Sequence, residues 1–353
     1  MAGRGDGPTV RWGILGTGKI ARIMAAAVRA SQDGELLAFG SRDVERAVAV
    51  ATEFGAPRHA RYEDVVGDPD VDVVYVATHH PFHREWASRA ADAGKHVLCE
   101  KPLAVTSEDA RAIVDAAERN GVFLLEAFAY RSHPQTERLV ELLRDDAIGE
   151  VRLIDAVFGY DAGPAPTNYL LVPELAGGSI LDVGCYTTSM AHLVAASAVG
   201  EPSVEAVDVV GSGTIGPTGV DHSAAASLVF ESGALARVAC SIEANLQSDV
   251  RIYGSEGRIH VDSPWLPGRI GRGAEIVVER SGSEPETMAS SVEPDVYTVE
   301  ADAVNAAILK GDRDPAMMPW EDSVANMRTL DRWRAEVGHP RAPHAAPDTG
   351  RTA

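Results

Sequence analysis

Between residues 10 and 127, short apolar runs alternate with longer amphipathic stretches. The runs cover residues 10–15, 35–40, 71–78, 96–100 and 122–127, separated by Ala-rich segments near 20–30, 44–54, 82–93 and 107–120. Strands buried on both faces read as unbroken apolar runs, and helical crossovers of this length join parallel neighbours. The pattern predicts an α/β half of Rossmann type, with a doubly wound parallel sheet. Thr106, with Asp109 three residues on, predicts the start of the helix over 107–120, and Gly121 its end.

The rhythm changes beyond residue 130. One more helix is predicted over 134–144 and a strand over 151–160. A loop rich in Pro, Gly and Ala follows over 162–178, then a helix over 186–196. Runs of strand character occupy 204–210, 223–231, 234–243, 249–253 and 258–262. The turn signals Glu231-Ser232-Gly233 and Ser255-Glu256-Gly257 predict antiparallel hairpins among them. Helices over 297–309 and 321–336 complete the body. Strands followed by helices point to an α+β second domain on a large, mainly antiparallel open sheet. We expect one domain over 1–129, a second over 130–338, and a disordered tail over 339–353.

Composition narrows the partners. Of 353 residues, 45% are hydrophobic and 24% charged, the balance of a globular chain rather than a disordered one. Lys and Arg number 32 against 52 Asp and Glu, for a formal net charge of −20. That field repels phosphate backbones and anionic headgroups, so neither nucleic acid nor a membrane surface is an expected partner. No stretch approaches about 18 consecutive apolar residues, and the polar first eight residues are unlike a signal peptide. Cys99, Cys185 and Cys240 cannot all pair within one chain and fit no zinc spacing; reduced thiols in the cytoplasm are expected.

Gly16-Thr17-Gly18-Lys19-Ile20-Ala21 follows the first run and opens the first helical segment. In this G-x-G-x-x-A pattern the first glycine permits a tight turn and the second lets backbone approach a pyrophosphate. The small Ala21 allows helix and strand to pack closely. The helix start adds amide donors and partial positive charge, so a dinucleotide is the expected ligand. At the end of the next run, an acidic residue would bind the ribose 2′-hydroxyl of NAD. Ser41, Arg42 and, one turn on, Arg46 stand there instead, a set suited to the 2′-phosphate of NADP. Asp43 either repels that phosphate or starts the helix. NADP is favoured, with NAD still open.

The run over 96–100 ends in Glu100-Lys101-Pro102. Ligands bind at the carboxyl ends of parallel strands, so topology aims Lys101 into the crevice. Proline restricts the lysine backbone and is compatible with a cis bond. Together with Ala77-Thr78-His79-His80-Pro81-Phe82-His83, Leu125-Glu126-Ala127, Gly177-Gly178-Ser179-Ile180-Leu181-Asp182-Val183-Gly184-Cys185-Tyr186, Gly219-Val220-Asp221 and Tyr253-Gly254-Ser255-Glu256-Gly257, the segment resembles a known family over residues 10–338. That family is the glucose–fructose oxidoreductase/inositol dehydrogenase/rhizopine catabolism family, Gfo/Idh/MocA. The chain looks most similar to its dimeric dihydrodiol dehydrogenase and 1,5-anhydrofructose reductase branches.

The resemblance implies that Lys101 is the catalytic lysine and that Glu100 and Lys101 lie beside the nicotinamide ribose. It also implies that Thr78, His80, Pro81 and His83 line the cofactor. Many members end the D-x-G-x-[HY] motif in His; here it ends in Tyr186, as in the dihydrodiol dehydrogenase branch, where this tyrosine is the acid/base. A nearby ammonium would lower the tyrosine pKa toward working pH. Asp182 would support the pair, or cap a helix.

His79, His80 and His83 lack a carboxylate or cysteine partner, so no metal is expected. Arg131 and His133 would reach substrate or form an interdomain salt bridge. Tyr160 and Trp265 are either pocket walls or core. The expected activity is NADP-dependent hydride transfer to or from a sugar, polyol or trans-dihydrodiol-like substrate. An NAD-dependent redox-assisted glycosidase and a non-catalytic nucleotide sensor are the competing readings. An antiparallel sheet with one bare face predicts a homodimer or a dimer of dimers.

Overall fold

The computed structural model describes residues 8–163, 168–269 and 273–338. The tail expected to be disordered and part of the 162–178 loop lie outside the described residues.

The first half alternates strand and helix: β1 (Val10–Leu15), α1 (Lys19–Ala30), β2 (Gly34–Gly40), α2 (Val44–Phe54), β3 (Arg58–Ala60), α3 (Tyr62–Gly67), β4 (Val73–Val76), α4 (His83–Asp92), β5 (His96–Glu100), α5 (Ser107–Asn120) and β6 (Leu124–Ala127). The strands form one parallel sheet in the order β3-β2-β1-β4-β5-β6. Val73, Val74, Tyr75 and Val76 are completely buried, as a strand covered on both faces requires. The strand order reverses between β1 and β4, which opens a crevice at the carboxyl ends of these two strands. β3 and α3 are additions to the predicted elements. Arg58-His59-Ala60 is too short and too exposed to leave a hydrophobic signature. Thr106 caps α5 by accepting from the Asp109 amide at 3.1 Å, and Gly121 ends that helix in the left-handed region.

The second half contains α6 (Pro134–Arg144), β7 (Val151–Gly159), α7 (Cys185–Ala198), β8 (Ala206–Ile215), β9 (Asp221–Phe230), β10 (Leu235–Ser241), β11 (Asp249–Gly254), β12 (Gly257–Asp262), β13 (Glu275–Arg280), β14 (Glu286–Ala289), α8 (Val296–Lys310) and α9 (Trp320–Val337). Its eight strands run β14-β13-β12-β11-β7-β10-β9-β8; all pairings are antiparallel except β7 with β10. Both predicted hairpin turns join antiparallel partners. β13 and β14 escaped the sequence reading, although Ile276 and Val278 alternate inward along β13.

Helices α7 and α9 cover one face of this sheet. Helix α8 lies late in the chain, yet it packs back on the first half, against α1, β1 and β2. The Trp12 indole donates to Asn305 Oδ1 at 2.9 Å, and Asn305 in turn donates to Gln32 O at 2.7 Å. These contacts hold the two halves together on one side of the crevice.

Candidate active site

The glycine turn projects between β1 and α1. A side chain at Gly16 (φ 130°) would put its Cβ 2.5 Å from the Ala77 carbonyl oxygen, so only glycine fits. Gly18 is exposed, with open space where a Cβ would stand. It is the N-cap of α1 and no side chain bonds the first amides of that helix. Thr17, Lys19 and Ile20 are exposed or half-buried around it, and Ala21 is fully buried against the sheet. Thr78, at the mouth of β4, holds its Oγ1 buried with no partner among the described residues. A free helix start, room for close backbone approach and an orphaned hydroxyl fit a bound dinucleotide.

At the end of β2, Ser41 is buried and its Oγ accepts from the Asp43 amide at 3.2 Å. Asp43 is the N-cap of α2, accepting from the Glu45 amide at 3.0 Å, and it also pairs with the exposed Arg46 at 3.5 Å. Of its two expected roles, Asp43 takes the helix-starting one. The Arg42 guanidinium lies 5.8 Å from the centre of the Phe82 ring. Arg61, which the sequence reading missed, reaches the Arg42 carbonyl from the start of α3.

Lys101 is the first residue beyond β5, and its bond to Pro102 is cis. Its ammonium donates to Asp182 O at 2.7 Å and to Asp182 Oδ1 at 3.1 Å. It also stands 5.0 Å from the centre of the Tyr186 ring. Burial pulls the lysine pKa down, but Asp182 and then Tyr186 outweigh it and hold the pKa well above the ordinary lysine value. Asp182 is 4% exposed. Burial alone would raise its pKa; Lys101 and the hydroxyl of Tyr160, 2.6 Å from Oδ2, bring it below the usual carboxylate range. Both partners are therefore held in their charged forms.

Asp182 is no helix cap. It sits inside a π-helical turn, Ile180–Gly184, that runs directly into α7 and carries Tyr186 one turn beyond. Asp221, at the start of β9, anchors that turn by accepting from Ser179 Oγ (2.7 Å) and the Ile180 amide (2.6 Å). Gly178 (φ 116°) precedes the turn, and a Cβ there would lie 2.2 Å from Asp221 Oδ1. The Gly-Gly-Ser and Val-Asp motifs, far apart in sequence, thus serve one purpose: they place Asp182 against Lys101.

Several expectations need correction. The Tyr186 pKa is not brought down: burial raises it well above the ordinary phenol value, and Lys101 recovers only part of that shift. His83 is fully buried and does not line a cleft. Its ring lies between Pro102 O (2.9 Å) and Thr78 O (3.1 Å), tying the loops after β4 and β5 together, and burial pushes its pKa down to about 4. Arg131, read as a substrate contact or an interdomain salt bridge, makes a salt bridge, one that lies within the second half. It pairs with Asp322 of α9 at 2.8 Å, and both side chains are almost completely buried. For Trp265, read as pocket wall or core, the core alternative holds: 2% exposed, it donates to Val157 O at 3.1 Å and stacks on Phe158.

His80 is buried, its pKa pushed down to about 3, with Nδ1 3.2 Å from Ala176 O across the crevice; Pro81 beside it is half-buried. Glu100 accepts from the Tyr75 hydroxyl, and burial raises its pKa. Among the described residues no cluster of three or more His, Cys, Asp or Glu side chains is arranged to hold a metal ion.

The sequence reading also missed two tyrosines. Tyr169 packs against His79 with ring centres 5.3 Å apart, and burial raises its pKa to about 12, with Asp182 adding to the shift. Tyr297, at the start of α8, feels Glu100 and Lys101. Glu300, one turn along, is buried with both carboxyl oxygens unpartnered among the described residues. None of these positions carries a local motif.

A phosphate-ready glycine turn beside a lysine–aspartate–tyrosine group, spanning a parallel and an antiparallel sheet, can be compared with known proteins. Residues 10–128 match the family described as "Oxidoreductase family, NAD-binding Rossmann fold", and residues 136–260 match the "GFO/IDH/MocA C-terminal domain". The chain belongs to the Gfo/Idh/MocA oxidoreductase family. It is 35% identical over 325 residues to D-xylose 1-dehydrogenase (NADP(+)) 2 of Haloferax volcanii, covering 91% of this chain and 95% of the relative. It is 31% identical over 339 residues to trans-1,2-dihydrobenzene-1,2-diol dehydrogenase of Mus musculus, covering 93% and 97%. Among solved structures, a 3-ketoreductase from Actinomadura kijaniata in complex with NADP and TDP-benzene superimposes with a TM-score of 0.81 at 27% identity, covering 93% of this chain and 98% of that one. This member of Gfo/Idh/MocA is an NAD(P)-dependent dehydrogenase or reductase. Among the described residues no helix is long and apolar enough to cross a membrane.

Proposed function

We propose that this protein transfers hydride between NADP and a carbonyl or secondary alcohol of a sugar, polyol or trans-dihydrodiol-like compound, with Lys101 and Tyr186 as its acid–base pair. The observation that carries this reading is the convergence of the Lys101 ammonium on Asp182 and the Tyr186 ring at the carboxyl end of β5. Gly16, Thr17, Gly18, Lys19 and Ile20 would hold the pyrophosphate. Ser41, Arg42 and Arg46 would hold the 2′-phosphate, and Thr78, His80, Pro81 and Glu100 the nicotinamide half. When bound, the nicotinamide donates or accepts the hydride.

The chain's own residues manage charge and protons. As a carbonyl is reduced, negative charge grows on its oxygen, and the Lys101 ammonium opposes that charge in a site with little water. Tyr186 supplies the proton. Burial keeps its phenol protonated at neutral pH, the form an acid catalyst of reduction needs. The phenolate left behind is stabilised by the same ammonium. Asp182 keeps Lys101 charged and in place throughout. Arg42 and the use of Asp43 as a helix cap support NADP, as do the NADP in the name of the xylose dehydrogenase and the NADP bound to the 3-ketoreductase.

The outward face of β8, β9 and β10 supports a homodimer. Val210 and Leu235 are 59% and 47% exposed there, on the side that α7 and α9 do not cover. Light scattering at micromolar concentration should return at least twice the chain mass; a monomeric mass overturns the dimer. Three buried free cysteines support a reducing cytoplasm.

The reading is tested by following NADPH consumption across a panel of carbonyl sugars and, in reverse, NADP reduction by diols, each repeated with the NAD pair. Turnover at least about tenfold faster with the phosphorylated coenzyme is expected, the worth of one charge-assisted contact. Equal rates with both coenzymes overturn the Ser41/Arg42 argument. No turnover on any member overturns the substrate class.

A further inference from the structure

We propose that Tyr160 is a positioning residue for this reaction: its hydroxyl fixes the Asp182 carboxylate so that the other oxygen faces the Lys101 ammonium. The inference rests on the reading of Lys101 as the group that meets the substrate oxygen.

Tyr160 is the first residue beyond β7. Its amide donates to Ser241 O at 3.0 Å, so its backbone is pinned at the end of a central strand pair. A phenol mounted there has a fixed origin, and it donates to Asp182 Oδ2 at 2.6 Å, the short distance of a charge-assisted bond. The carboxylate accepts Tyr160 on Oδ2 and Lys101 on Oδ1. A buried carboxylate with one oxygen unpartnered would rotate to share its remaining donor. Tyr160 removes that freedom.

The titratable and charged groups around Asp182 come from several elements: Glu100 of β5 and Lys101 just after it, His80 of the loop after β4, Tyr160, Tyr169 and Cys185. His80 stays neutral because it is buried. Lys101 is therefore the one charged cation in that set, and Tyr160 is the neutral donor bonded to the carboxylate. Burial and then Asp182 raise the phenol pKa far above its ordinary value, so Tyr160 donates a hydrogen bond at every working pH and does not serve as the acid.

Tyr160→Phe removes only the hydroxyl. The substitution should lower kcat roughly tenfold with little change in KM, the loss of one hydrogen bond to a charged group. The acid limb of kcat/KM should rise by about one pH unit, because the carboxylate has lost a donor that favours its ionised form. A merely structural role would lower the melting temperature and the active fraction but leave that limb in place. A second readout needs no turnover: the carbon-13 resonance of the Asp182 carboxyl, assigned by comparison with Asp182→Asn, should titrate about one pH unit higher in Tyr160→Phe. An active variant with an unmoved limb and an unmoved Asp182 titration overturns the role of Tyr160. If wild-type protein turns over no carbonyl with NADPH, the functional reading fails instead, and the carboxyl titration alone decides the coupling.

Discussion

Replacing Asp182 by Asn changes the site by one charge while keeping its volume and an oxygen for the Lys101 ammonium. At 3.1 Å and an effective dielectric constant of about 20, the lost attraction is about 5 kcal/mol. The amide dipole and the unchanged contact to the Asp182 carbonyl oxygen retain part of it, so about 3 kcal/mol is expected, within the range for breaking a buried pair. The sign follows from linkage. Lys101 has its pKa raised in the folded state, so its contribution to stability is fully present below the unfolded value, about pH 10, and fades as pH rises through the folded one. Asp182→Asn should therefore lose about 3 kcal/mol at neutral pH, not only in base. The same loss lowers the lysine pKa by about two pH units. The basic limb of kcat/KM should then move to lower pH than in the wild type, and kcat should drop at least about tenfold. Urea unfolding at pH 7 and an NADPH-coupled pH profile measure the two effects. A variant with wild-type stability and a basic limb unmoved from wild type would refute the ion pair as the source of the lysine's charge.

Two further predictions concern buried charge. Burial raises the Glu126 pKa to about 7, so between about pH 4.5 and 7 its carboxyl keeps in the native protein a proton that the unfolded chain has released, and the contribution of Glu126 to stability falls as pH rises across that window. Glu126→Gln keeps an oxygen for the Leu103 amide, and should gain up to about 3 kcal/mol relative to wild type between pH 5 and pH 8; a difference that does not change with pH contradicts the assignment. His80 and His83, with depressed pKa values, lose stability as pH falls below about 6.5, so the comparison must be made against wild type at each pH. Arg131→Ala strands Asp322 in the core and also removes donors from Ser189 O and Oγ. A loss of about 3–5 kcal/mol by denaturant unfolding is expected, and a loss under about 1 kcal/mol would mean that water reaches the pair.

Much of the dinucleotide half was legible because its signals are local. Runs such as Val73–Val76 are apolar throughout, Thr106 and Gly121 bracket α5, and the glycine turn has one stereochemical reading. Lys101 contacts Asp182 and the Tyr186 ring, but the way the three side chains come together was not legible. The lysine lies over the tyrosine ring, and the phenol bonded to Asp182 is Tyr160. Such choices are made by contacts between residues dozens of positions apart, which leave no periodicity in the chain. Arg131 shows the same limit: the burial that turns a candidate ligand contact into a core ion pair comes from α9, nearly two hundred residues later. Helix α8 returns to the first half through Asn305 and Trp12 of β1, a pairing with no sequence signature, and so Tyr297 and Glu300 went unread.

The central claim is that Lys101 acts on the reacting oxygen rather than merely holding the loop after β5. Lys101→Met keeps the length of the side chain and removes its charge. Steady-state turnover of the best carbonyl substrate with saturating NADPH, measured beside NADPH affinity by fluorescence, separates the two roles. The account predicts a kcat lower by about a thousandfold, with coenzyme affinity within about threefold of wild type. A Lys101→Met enzyme that turns over within a few fold of wild type would contradict it.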